Sequence, residues 1–339
     1  MPTRPSDLRA LLDAVAGRHH VLVMTHNDPD PDALASVFGL ATLLRRQGHA
    51  VTQAYGGFLG RGENRAMVRV LRLRFRTVDQ LAPADFDAVA LVDTQPGAGN
   101  HSLPATIEPN IVLDHHSRLR TGAAGYQDVR PSYGACSTIV GQYLQVADLA
   151  WDARLATALF YGIKTDTLGL SRATHEADAA LYLALHQSVN QRWLGQIEQA
   201  PLSWFYYQAL QRALIRALVY GPVVFSHVGE VHRADIVAEL ADLLVRAVGV
   251  EWSVVMGEFR EQLIISMRTH DETLNAGTVM REVVGTRGSA GGHGHMAAGR
   301  LPLAGRDPAA ERERIEARLR TVLGVARRRP RPLVPEALA

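Results

Sequence analysis

The stretch His26-Asn27-Asp28-Pro29-Asp30-Pro31-Asp32 comes one residue after the apolar run Val21-Leu22-Val23-Met24, so an imidazole and the carboxylates of Asp30 and Asp32, among others, leave one strand end together. Asp93 follows Ala88-Val89-Ala90-Leu91-Val92 in the same way, Asp114-His115-His116 follows Ile111-Val112-Leu113, and Asp166 ends Gly162-Ile163-Lys164-Thr165. One aspartate after a strand is ordinarily a turn former or a helix cap. Four strand-like runs each ending in Asp or His are a different matter, because parallel sheets gather the carboxyl ends of their strands at one edge. Carboxylates brought that close repel one another unless a cation neutralises them. A carboxylate-rich set with imidazole and no thiolate suits Mn²⁺ first, with Mg²⁺, Co²⁺ or Fe²⁺ also accommodated.

The elements that must position these groups read as α/β. Leu8, Leu11, Leu12 and Val15 recur at helical spacing over residues 7–17, and Leu34, Val37, Leu40, Ala41 and Leu44 continue helically after the His26–Asp32 loop. Strand patterns near 50–55, 88–93 and 111–114 alternate with helical ones near 63–71, 137–146 and 152–163, which predicts a mostly parallel sheet covered on both faces. Helical patterns continue near 175–188 and 203–219; Gly221-Pro222 then punctuates the chain and is read as the domain junction. Beyond it come a strand, a helix over 233–248, a hairpin pairing 251–259 with 262–269 around Arg260-Glu261, a helix near 275–284, the run Gly291-Gly292-His293, and a helix over 308–324. The expected division is a catalytic domain over 1–190, a helical linker over 191–220, a smaller α+β domain over 221–326, and a basic, disordered tail over 327–339.

At 339 residues and 47% hydrophobic content the chain can bury the cores of two domains. Its single cysteine, Cys136, cannot form an internal disulfide, and Asp7, Arg9, Asp13 and Arg18 interrupt the first apolar stretch. No apolar run is long enough for a membrane helix, so a cytoplasmic protein without a membrane partner is expected. A net charge of +2 argues against gripping long nucleic acids through many phosphates, while leaving a few local phosphate contacts open.

The order HxxxDxD, Asp, DHH, Asp resembles the DHH phosphoesterase superfamily, here as His26/Asp30/Asp32, Asp93, Asp114-His115-His116 and Asp166. Gly291-Gly292-His293-Gly294-His295-Met296-Ala297-Ala298-Gly299 resembles the GGHxxAAG signature of the DHH-associated domain of RecJ-type nucleases and nanoRNases. The resemblance implies two divalent metal ions, one held by His26, Asp30 and Asp93 and the other by Asp32, Asp93, His115 and Asp166, with Asp93 bridging. It implies that Asp114 orients an imidazole, that His116 faces the phosphate, and that Arg268, Gly291, Gly292 and His293 hold the far end of the substrate. The implied activity is hydrolysis of short oligoribonucleotides or linear dinucleotides, with 3′-phosphoadenosine 5′-phosphate a further substrate. A cyclic dinucleotide phosphodiesterase is the alternative; a single-strand DNA exonuclease and a non-catalytic nucleotide sensor rank below. Ala290, where many relatives have glycine, and Leu119, where they often have asparagine, depart from the pattern. A homodimer is left open.

Overall fold

The computed structural model describes residues 2–119, 124–172, 174–271 and 273–334. The chain forms two compact units, residues 1–200 and 201–339.

The first unit runs α1 (Pro5–Asp13), β1 (His20–Met24), α2 (Pro31–Arg46), β2 (Ala50–Tyr55), α3 (Gly62–Val70), β3 (Arg76–Thr77), β4 (Ala88–Val92), β5 (Ile111–Asp114), β6 (Tyr126–Val129), α4 (Cys136–Val146), α5 (Ala153–Asp166), α6 (Glu176–His186) and α7 (Gln191–Glu198). Its six strands lie in the order β3-β2-β1-β4-β5-β6, every pairing parallel. Successive strand side chains point to opposite faces. Val21 and Val23 accordingly join Leu34, Val37, Leu40 and Leu44 of α2 in one core, while Leu22 and Met24 join Val89, Leu91 and Val112 in another. Each fully buried Leu or Val removed from water contributes about 1.5–3 kcal/mol, which explains why the strands read as unbroken apolar runs. The strand order reverses between β1 and β4, and it is outside the carboxyl ends at such a reversal that an open sheet leaves a crevice.

The second unit runs α8 (Trp204–Ile215), β7 (Leu218–Tyr220), β8 (Val223–Glu230), α9 (Asp235–Leu244), β9 (Trp252–Phe259), β10 (Gln262–Thr269), α10 (Ala276–Val284), β11 (Ser289–His293), β12 (Met296–Pro302), α11 (Pro308–Val322) and β13 (Arg331–Pro332). The seven-stranded sheet has the order β11-β12-β10-β9-β8-β7-β13. Only the β8–β9 pairing is parallel among the described residues. Arg260 and Glu261 turn the β9–β10 hairpin with φ of +48° and +56°, the left-handed pair that matches strand twist.

Three expectations need correction. Residues 203–219 are not one helix: α8 stops at Ile215 and β7 follows, pairing Tyr220 with Val223 around Gly221-Pro222. Gly221-Pro222 forms a tight turn between β7 and β8, with Gly221 at φ +64°, and the two compact units divide at Ala200/Pro201. The helical linker expected over 191–220 is therefore split, α7 lying in the first unit and α8 and β7 in the second. The basic tail is ordered in part: Arg331 and Pro332 pair with Val219 and Leu218, and the Leu333 N–H donates to the Ala217 carbonyl.

Candidate metal centre

His26 leaves β1, and Asp30 and Asp32 stand at the start of α2, where Pro31 occupies a position whose N–H a helix does not use. Asp30 divides its carboxylate: Oδ1 accepts from the Ala33 N–H at 2.9 Å as the helix cap, while Oδ2 lies 4.0 Å from His26 Nε2. Asp32 is fully buried, and its two oxygens accept the free N–H groups of Cys136 and Ser137 at the start of α4, at 2.7 and 2.8 Å. Asp93, one residue past β4, holds φ at +59°, a conformation that costs a non-glycine residue about 1–3 kcal/mol and clusters at functional sites. Asp114 ends β5 and Asp166 ends α5. The run before Asp166, counted with the strand-like ones, is therefore the end of the helix expected over 152–163, and its apolar residues are continuous because α5 packs against α2 inside the core.

These positions converge. His26 Nε2 lies 3.4 Å from Asp93 Oδ2, and His115 Nε2 lies 3.3 Å from Asp93 Oδ1 and 3.4 Å from Asp166 Oδ2. The donor atoms of His26, Asp30 and Asp93 lie within 4.8 Å of one another, as do those of Asp32, His115 and Asp166, and those of Asp93, His115 and His116. Asp93 is 1% exposed and stands between two imidazoles, one at each oxygen. Both rings are aimed by their other nitrogen, which donates to a carbonyl: His26 Nδ1 to Asn27 at 2.9 Å and His115 Nδ1 to Tyr133 at 3.2 Å.

The fold leaves this cluster electrostatically unfinished. Asp93 Oδ1 and His115 Nε2 are buried atoms with no hydrogen-bond partner among the described residues. Burial, with the Asp93 charge, pushes Asp32 up to about 7, and burial with the charges of Asp30 and Asp32 raises Asp166 well above its ordinary range. Burial opposes charge on His26 and His115, but pairing with Asp93 and the neighbouring carboxylates overcomes it and pushes them up to about 10 and about 11. Protons are thus retained where the carboxylates lack enough positive charge. Four carboxylates and two imidazoles in two adjoining groups fit hard or borderline divalent cations.

The His116 ring lies beside that of His115, centroids 4.5 Å apart, rather than diverging from it as adjacent side chains at a strand end would, and is turned by its neighbour Asp114. Its Nδ1 donates to Asp114 Oδ1 at 2.8 Å, leaving Nε2 on a side chain that is 45% exposed. Asp114, 1% exposed, also accepts the His115 N–H at 2.9 Å and, through Oδ2, the Gln95 side chain at 2.6 Å. Gln95 carries no motif signal, yet it ties Asp114 to the following loop by accepting the Leu119 N–H and donating to the Ser117 carbonyl. Asp178, fully buried, is a second such residue. It accepts from the Gly134 and His175 N–H groups and the Thr138 hydroxyl, which fixes the turn bearing the Tyr133 carbonyl. His101 braces its own loop, donating from Nε2 to the Gln95 carbonyl and accepting the Leu103 N–H at Nδ1. Asn64 donates to the Pro29 carbonyl at 3.0 Å.

In the second unit, Gly291, Gly292 and His293 form β11 rather than a free turn, paired with Ala298, Ala297 and Met296. Gly292 has φ +140°, and a Cβ there would meet the Met296 carbonyl at 2.4 Å. Its glycine is required by the β12 backbone. Gly291 has open space beside it, and the side chain of His293 lies outside what is described. Arg268 is mostly buried and pairs through Nε with Asp242, while Nη1 donates to the Met267 carbonyl and the Ser266 hydroxyl.

Comparison with known proteins agrees with this arrangement. The DHH family N-terminal domain matches residues 20–163 and the DHHA1 domain matches residues 221–323. An uncharacterised protein of Methanocaldococcus jannaschii is 35% identical over 84% of this chain and 58% of its own length. A probable manganese-dependent inorganic pyrophosphatase of Lactiplantibacillus plantarum is 28% identical over 47% of this chain and 52% of its own. The chain thus spans little more than half the length of these curated relatives. The crystal structure of an exopolyphosphatase-related protein from Bacteroides fragilis shares the fold, with a TM-score of 0.73 at 13% identity over 95% of this chain and 98% of that one. The chain thus carries a DHH family N-terminal domain followed by a DHHA1 domain.

Proposed function

We propose that this protein is a metal-dependent phosphoesterase that hydrolyses short oligoribonucleotides or linear dinucleotides, with 3′-phosphoadenosine 5′-phosphate as a further substrate. The observation that carries the reading is Asp93, held between His26 and His115 where two groups of donors meet. His26, Asp30 and Asp93 would hold one divalent cation, and Asp32, Asp93, His115 and Asp166 the other. Mn²⁺ is the assigned metal, and the similarity to a probable manganese-dependent pyrophosphatase supports that choice. When bound, such a pair supplies charge neutralisation at the phosphate and acidifies an attacking water.

The chain's own groups do the rest. Asp32, anchored by two N–H groups of α4, keeps its position as charge changes around it. The Asp114–His116 hydrogen bond keeps one proton on Nδ1, so Nε2 carries a proton for the leaving oxygen only in the imidazolium, which the Asp114 and Asp93 carboxylates favour against the cost of burial. His116→Ala is expected to keep its metal and lose rate; loss of metal in that variant, with retention in His115→Ala, would reverse the two assignments. Arg268 and the β11 glycines are proposed to contact the remote end of the substrate. No helix among the described residues is long and apolar enough to cross a membrane, and a cytoplasmic location is part of the proposal.

A chromatographic turnover panel with Mn²⁺ tests the reading: linear dinucleotides, cyclic dinucleotides, longer RNA, short DNA, the bisphosphate and pyrophosphate. Fastest release of mononucleotide from linear dinucleotides is expected. Exclusive hydrolysis of pyrophosphate, or long RNA cut as fast as dinucleotides, would overturn it.

A further inference from the structure

Six arginines of the first unit gather on a face that the metal centre does not use. Arg45 and Arg46 end α2, Arg72, Arg74 and Arg76 lead into β3, and Arg154 stands in the first turn of α5. They line three adjoining concavities of about 410, 650 and 430 Å³, which share Arg45, Arg72 and Arg154 between neighbours. α2 is 16 residues long, about 24 Å, with Asp32 in its first turn and Arg45 and Arg46 in its last, so this face lies at the far end of the helix from the metal ligands.

Three features separate the face from ordinary solvated charge. Among the described residues, none of the six arginines forms an ion pair with a carboxylate, although the chain carries 34 acidic residues against 36 basic ones. Asp152, which caps α5 by accepting the Leu155 N–H, brings one negative charge to the first and third concavities, whereas the middle one is lined by Arg45, Arg72, Arg74, Arg76 and Arg154 with no acidic residue. Like charges are also placed together: burial and then the Arg154 charge hold Arg45 below its ordinary range, and Arg45 is tethered by donating to the Val51 carbonyl at 2.9 Å. Guanidinium groups held near one another without counter-charge leave an uncompensated positive field that an anion would neutralise.

The choice of arginine over lysine carries no weight, since Lys164 is the chain's one lysine. What selects the anion is the length of the trough and the rings along it. A single phosphate would leave most of the arginines uncompensated, whereas a phosphodiester strand meets them in succession. Phe75 and Trp193, both half-buried, line the middle and third concavities, while Phe38, 6% exposed, lies under the Arg154 guanidinium 5.2 Å from its ring centre. Alternation of cationic and aromatic groups is how proteins hold single strands without reading sequence.

From this juxtaposition we propose that the arginine trough is a second, non-catalytic site that binds single-stranded oligonucleotide. A net charge of +2 does not oppose it, because the trough concentrates positive charge that the rest of the surface balances. The proposal is independent of what the metal centre hydrolyses.

The test uses the full chain in EDTA, so that turnover is stopped, and fluorescence anisotropy of a labelled oligouridylate of about twelve nucleotides across a salt series. The variant Arg74→Ala/Arg76→Ala/Arg154→Ala removes three exposed side chains and is checked for an unchanged melting temperature. Binding is expected to weaken roughly tenfold or more near physiological salt, with the slope of log Kd against log salt falling by about 2. A tail variant, Arg327→Ala/Arg328→Ala/Arg329→Ala, is expected to bind as wild type does. The proposal is overturned if the trough variant binds like wild type, if the tail variant alone loses binding, or if the wild-type chain does not bind the oligonucleotide. Equal binding of inorganic polyphosphate of matched charge would overturn the oligonucleotide assignment, because the rings would then contribute nothing.

Discussion

The carboxyl edge of the first sheet and the β11–β12 hairpin of the second carry the two densest motifs of the chain, and the fold treats them in opposite ways. At the sheet edge, charges are buried beyond what their neighbours satisfy: Asp93 Oδ1 and His115 Nε2 have no hydrogen-bond partner among the described residues, and Asp32 is driven up to about 7. In the hairpin and the strand beside it the visible groups are already employed. Gly292 makes room for the Met296 carbonyl, and Arg268 is paired with Asp242. Residues left unsatisfied by their own fold await something from outside, whereas satisfied ones must be shown to do more than hold the chain together.

The contrast breaks most severely at Asp93. Asp93→Ala should remove turnover and metal together, by more than the roughly hundredfold that loss of a supporting group costs, because one carboxylate faces both imidazoles. Metal analysis alongside turnover decides it, and near-normal values of both would remove the paired-cation assignment.

Asp178→Asn comes next. It touches no proposed ligand, yet it loosens the turn that aims His115, so metal affinity or activity should fall about 10- to 100-fold while the melting temperature changes little. An unchanged metal titration would reduce Asp178 to a cap of α6.

Arg268 sharpens the comparison from the other side. If it reads the substrate's far end, Arg268→Ala should cost about 1.5–3 kcal/mol, roughly ten- to a hundredfold in kcat/KM, on a phosphorylated dinucleotide and far less on bis(p-nitrophenyl) phosphate. Asp242→Ala then leaves dinucleotide turnover intact. Equal losses from the two variants on both substrates would make the pair purely structural.

Gly292→Val should cost stability in addition to any contact that β11 makes with the substrate. At φ +140°, with the Met296 carbonyl 2.4 Å from the added carbon, the cost is about 2 kcal/mol or more in thermal unfolding of the whole chain. Bound metal should be retained. A stable variant that loses only dinucleotide turnover would move Gly292 from packing to recognition.

The alternation of apolar runs and helical patterns was enough to read the parallel sheet and to bring His26, Asp93 and His115 to its carboxyl edge, while the full set with Asp30, Asp32 and Asp166 rested on the family resemblance, Asp166 ending a helix rather than a strand. Local patterns misled where one signal serves two structures. The helical pattern over 203–219 runs past the end of α8 into β7, and the apolar residues before Asp166 look alike in a buried helix and a buried strand. Gln95 and Asp178 were invisible because their work is done by hydrogen bonds to residues distant in the chain, which no spacing encodes. The partners of Asp32, the N–H groups of Cys136 and Ser137, belong to the backbone and have no sequence identity at all.

The strand order β3-β2-β1-β4-β5-β6 has a consequence in time. The donors arrive during synthesis as His26, then Asp93, then His115, and last Asp166, and the turn that aims His115 waits for Asp178. Parallel pairings must close long loops before any contact rewards them, so this half of the molecule should be slow to mature. Until α5 docks against α2, a growing chain holds several like-charged carboxylates with nothing to complete them. Cation availability at that moment would bear on how much of the newly made protein reaches its native state, quite apart from how fast the finished protein works.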